Sequence, residues 1–89
     1  MNAVISVVGN DRVGITALVA STLEKYNANI IDISQKVVED YFTMIMVVAV
    51  DKLNVNFIQF VEEFEKLGQS KNLVIHVMHE DIFNAMHKI

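Results

Sequence analysis

A chain of 89 residues, 53% hydrophobic and with net charge −4, is sized for one domain, residues 1–89. Its seven basic residues stand singly and it has no cysteine, so it offers no stripe for a nucleic-acid backbone, no disulfide framework and no zinc–thiolate site. The longest apolar run, residues 44–50, falls far short of the roughly 20 residues of a membrane helix, and no cationic leader opens the chain; a cytoplasmic protein is expected.

Residues 1–8, rich in Val and Ile, read as a strand, and Gly9-Asn10-Asp11 as a turn. From Val13 the period changes: Ile15, Leu18, Val19, Leu23 and Tyr26 fall at helical spacing, with Asp11 in place to cap them. Asn27-Ala28-Asn29 ends this helix. Ile31, Ile33 and Val37 alternate with Asp32, Ser34 and Lys36, the pattern of a strand with one buried face. Glu39-Asp40 marks a tight turn into residues 41–50, an apolar β-branched and aromatic strand that should pair with its predecessor. Asn54 is placed to cap a second helix carrying Phe57, Phe60, Val61, Phe64 and Leu67 and stopping at Gly68. Residues 73–78 read as a fourth strand and 80–88 as a short final helix.

The order β-α-β-β-α-β predicts an α+β, ferredoxin-like sandwich: a four-stranded antiparallel sheet, two helices on one face, and a short C-terminal helix. The other sheet face would carry either Tyr41, Thr43, Ile45, Val47 and Ala49 or Phe42, Met44, Met46, Val48 and Val50. Either set is too apolar for water. Together with the apolar excess of so small a chain, this predicts that a second copy covers the open face or an edge of the sheet.

Chemistry concentrates at residues 9–15, between a strand end and a helix start. The first N–H groups of a helix lack intrahelical acceptors, and the helix dipole favours an anion such as a carboxylate there. Gly14 permits close approach. Asp11 can either cap the helix or accept an N–H from a ligand. A second stretch, Asn29-Ile30-Ile31-Asp32, opens the second strand at the far end of the first helix. A ligand touching both stretches would therefore lie between two chains. By themselves Asn29 is an ordinary turn residue and Asp32 an ordinary solvated side chain.

No apparatus for catalysis is visible. Ser6, Ser21, Ser34 and Ser70 stand in no nucleophile turn, residues 9–14 lack the Gly-Lys-Ser/Thr of a phosphate loop, and Glu62, Glu63 and Glu65 lie on the solvent side of a helix. His76 and His79, three apart in a strand, point to opposite faces. A metal held by His76, His79 or His87 is the minor reading, and no cofactor is expected.

Residues 7–15, Val-Val-Gly-Asn-Asp-Arg-Val-Gly-Ile, and residues 26–33, Tyr-Asn-Ala-Asn-Ile-Ile-Asp-Ile, give the chain its resemblance to ACT domains, small regulatory modules that bind amino acids. Val13 stands where proline is common in that family. Residues 41–46 and 79–87 are similar to short stand-alone ACT proteins and to the regulator of the glycine-cleavage system. The resemblance implies paired domains, often joined into one eight-stranded sheet, with ligand at or near the seam. Carried over, it assigns ligand contacts to Asn10, Asp11, Val13, Gly14 and Ile15 on the loop and to Asn29, Ile30 and Asp32 on the strand. The expected function is a non-enzymatic regulatory module that senses an amino acid at a homodimer interface, without nucleic-acid or membrane partners. The alternative is a ligand-free interaction module working through the apolar sheet face or the tail, with a regulated protein as its partner.

Overall fold

The computed structural model describes residues 1–10 and 13–86. Its elements are β1 (Asn2–Gly9), α1 (Ile15–Lys25), β2 (Asn29–Val38), β3 (Tyr41–Ala49), α2 (Phe57–Lys71), β4 (Val74–His79) and α3 (Glu80–Met86). The strands form one antiparallel sheet in the order β2-β3-β1-β4. This is the ferredoxin-like arrangement, with two crossover helices and a short terminal helix.

The side-chain period of two decides which residues make the core. Ala3, Ile5 and Val7 of β1, Phe42, Met44, Met46 and Val48 of β3, and Ile75 of β4 all face α1 and α2. From the helices, Ile15, Val19 and Leu23 meet Phe60 and Phe64, and Phe60 takes Tyr26 edge-on at 6.2 Å and Phe64 at 5.0 Å. Of the two sets possible for β3, it is thus Tyr41, Thr43, Ile45, Val47 and Ala49 that lie on the open face.

Val4 shares that open face, because it pairs with Val47 and Met78, yet it is 3% exposed. The helix packed on β1 and β4 near it is α3. The terminal helix therefore folds back over the open face and covers its Val4 end. The opposite end, with Val8, Tyr41 and Val74, stays exposed.

Three local expectations are corrected. The N-cap of α1 is Gly14, in a left-handed conformation with φ of 77° and no side-chain cap, while Asp11, expected as the cap, lies outside the described residues. The N-cap of α2 is Asn56, whose Oδ1 accepts the Gln59 N–H at 2.8 Å. Asn54 instead donates its Nδ2 to the Lys25 carbonyl and ties the end of α1 to the loop before α2. Finally, α2 does not stop at Gly68 but runs on to Lys71 and closes on Asn72 at φ of 57°. Gly68 serves packing: a Cβ there would stand 2.8 Å from the Leu73 carbonyl oxygen.

The strand β2 departs most from expectation. It was read as half-buried, but all ten of its residues are exposed. It is an edge strand, and α1 barely reaches it, so none of its residues joins the protein's own core cluster. A bulge between Ile30 and Asp32 sets Ile31 out of register, so the run Ile31, Ile33, Val37 is not one face.

Candidate functional site

The site begins at the N-terminal end of α1. The N–H groups of the first turn of α1 have no intrahelical acceptors by helix geometry. Here the cap is a glycine with no side chain to offer, and the first turn carries no acidic residue. Among the described residues, and apart from Gly14 and its chain neighbours, no atom lies within 4 Å of where a Gly14 Cβ would stand. A cleft of about 420 Å³ opens there, lined by Asn10, Val13, Gly14, Ile15 and Leu18, and on its far wall by Lys71, Asn72 and Leu73.

The cleft can receive a small anion. The dipole of α1 supplies partial positive charge, and Lys71 adds a full one from the last turn of α2. Lys71 and Asn72 were missed by sequence reasoning, because the helix was ended at Gly68. The lysine-asparagine pair, a cation followed by a residue that tolerates the left-handed C-cap, is a signal that could have found them. Of the residues assigned to the loop, Ile15 has a buried side chain and can contribute only its backbone. Asp11 lies outside the described residues, as do its neighbour Arg12 and the tail from His87 on.

The second stretch sits elsewhere. Asn29 pairs with Ala49, which pairs with Asn2, at one end of the sheet. Gly9, which leads into the loop, pairs with Phe42, which pairs with Val37, at the other end. Seven residues of strand separate Phe42 from Ala49, about 23 Å. A single amino acid cannot span that distance. Asn29 instead lines separate clefts of about 230 and 330 Å³ with Asn27 and Ala28. Ile30 exposes its side chain on the helix side of β2. Asp32 faces the open side and accepts the Ile33 N–H at 2.9 Å, which braces the bulge.

Between the two ends, on the helix side, Gln35 donates its Nε2 to Thr16 Oγ1 at 3.4 Å and points at the Met44 sulfur at 4.0 Å. This side-chain hydrogen bond links α1 to the edge strand. His76 and His79 do fall on opposite faces, opposite Ser6 and Ala3. His79 Nδ1 accepts the Asp81 N–H at 3.1 Å and so starts α3. Among the described residues no three candidate ligands cluster as a metal site would need, and no helix is long and apolar enough to cross a membrane.

Comparison with known proteins gives this geometry a context. A family model described as ACT domain matches residues 2–78. A UPF0237 protein of Methanococcus maripaludis is 47% identical over 88 residues, covering 99% of this chain and 98% of that one. An ACT domain protein from Streptococcus pneumoniae superposes with a TM-score of 0.83 at 42% identity, covering 98% of each chain. A protein described as a glycine cleavage system transcriptional repressor superposes with a TM-score of 0.70 at 28% identity, over 89% of this chain and 47% of that one. The family so matched is one of regulatory ligand-binding modules rather than catalysts.

Proposed function

Starting from the fact that this chain belongs to the ACT domain family, we propose that it senses an amino acid at the seam of a homodimer built on β2. The observation that carries this reading is the edge strand, exposed along its whole length with Ile30, Ile31, Ile33, Val37 and Val38 on it. Such an edge is a template for a further strand. Five of its ten residues are apolar, and such an edge left bare is an aggregation hazard, whereas paired with its own copy it closes under a two-fold axis.

Antiparallel pairing centred on Ser34 sets Asp32 across from the partner's Lys36, and the converse, both on the open face. Exposed pairs of this kind add little affinity, but like charges there would be unfavourable, so they choose the register. The same pairing sets Asn29 and Ile30 beside the end of the neighbouring β2. The 23 Å between the two stretches of one chain is replaced by three strand spacings between two chains, about 14 Å. Asn10 and residues 13–15 from one side and Asn29, Ile30 and Asp32 from the other narrow that gap toward the size of a small zwitterion. The carboxylate lies on the first-turn N–H groups of α1, near Gly14. The ammonium is taken by Asp11, by the Asn29 side chain or by a backbone carbonyl of the opposing strand.

A ligand held by both chains stabilises the dimer by its preference for that state, which is how binding becomes a signal. Calorimetric titration with each common amino acid at millimolar concentration should give at least one saturable isotherm. Silence from all of them removes the ligand from this reading.

A further inference from the structure

The open sheet face is a second surface, independent of the β2 edge. Its Val4 end is covered by α3 and its Val8 end is bare, so the face is a step. Four residues separate Val4 from Val8, about 13 Å along the strand, which is wide enough for one helix of about 10 Å diameter. The flank of α3 away from the sheet carries Ile82 and Met86, one turn apart and both exposed.

We propose that this face is an interface with a second copy of the chain, in which each α3 fills the step its partner leaves bare. A two-fold axis lying in the plane of the face and across the strands reverses the strand direction. It therefore carries the partner's α3 onto the Val8–Val74 end while β4 stays over β4. The exposed pair on α3 then meets Val8, Val74 and Ile45, and the two helices form a middle layer between two sheets.

Two further observations favour a second copy. Val8, Tyr41, Ile45, Val74, Ile82 and Met86 together expose roughly 600 Å², most of the about 800 Å² per partner that a stable interface buries. The strands of this face carry one acid, Asp32, one base, Lys36, and the imidazole of His76, while the chain as a whole has net charge −4. The strand surface itself thus opposes no excess of like charge when two identical acidic molecules approach, and the acids of the contact are those of the first turn of α3, Glu80 and Asp81.

The aspartate variants Val74→Asp and Ile82→Asp, one on each side of the contact, test the proposal by sedimentation equilibrium. Each alone should halve the mass of the wild-type assembly, while Ile33→Lys on the β2 edge should leave this contact intact. The cysteine-free chain allows a second measurement. Mixed Val74→Cys and Ile82→Cys chains should cross-link to each other with a short thiol-reactive linker, and neither should do so alone. The cross-link decides if an aspartate variant fails to fold. An unchanged mass in both aspartate variants, or no cross-link in the mixture, overturns the proposal; so does a monomeric wild type or an open face found occupied by a different protein.

Discussion

Gly14 and Gly68 show how differently one residue type can be required. At Gly14 the backbone is left-handed at φ of 77° and the space around a Cβ is empty. Gly14→Ala therefore costs only conformational strain, about 1 kcal/mol, read as a fall in melting temperature of roughly 4–8 °C. If the ligand lies on the N–H groups beside it, the added methyl also weakens amino-acid binding by about tenfold or more, worth about 1.4 kcal/mol; calorimetry on the folded variant separates the two effects. At Gly68 the conformation is ordinary and the space is not, since a Cβ would press on the Leu73 carbonyl at 2.8 Å and on Ile75 at 3.2 Å. Gly68→Ala should lower stability by about 1–3 kcal/mol through overpacking, although alanine is the better helix former. Denaturant unfolding checks the sign. A variant more stable than the wild type would show that α2 slides freely on β4.

The elements differ in how far the sequence foretells them. The core-facing alternation of β1 and β3 and the 3.6 period of both crossover helices are legible, because each is read against this chain's own core. β2 is not, because its alternation is interrupted by the bulge at Ile31 and its apolar residues stay outside the core cluster of their own chain. Periodicity reports that a face is to be covered and is silent on which molecule covers it. The α2 cap was misplaced by two residues for a local reason: Asn54 and Asn56 are equally good caps by type, and only the reach of Oδ1 to Gln59 N–H decides between them. Of the candidate site, the Gly14 loop was readable from its turn residues. The Lys71–Asn72 wall of the cleft was hidden by a glycine that packs rather than terminates. For β2 the consequence is testable. Ile33→Lys should leave the melting temperature of the protomer nearly unchanged, since the position is exposed, yet break the edge pairing. Loss of secondary structure by circular dichroism would mean that β2 is held by its own chain after all.

At the scale of the molecule, 89 residues make a core with little to spare, since a domain of this size has a total stability of about 5–15 kcal/mol. Phe60, fully buried and packed against Tyr26, Phe57 and Phe64, holds both helices to each other. Phe60→Ala should cost about 3–5 kcal/mol and leave the protein partly unfolded at 37 °C in a thermal melt. In the proposed dimers the edge strand and the open face, which the core does not bury, meet a second copy, and the ligand stretches at opposite ends of one sheet become neighbours across the β2 seam. Assembly and sensing are thus one property in this reading. The direct test is sedimentation velocity at micromolar concentration, with and without each common amino acid at millimolar concentration. An associated species is expected, with a population that rises with at least one of them. A monomer that no amino acid shifts would contradict it.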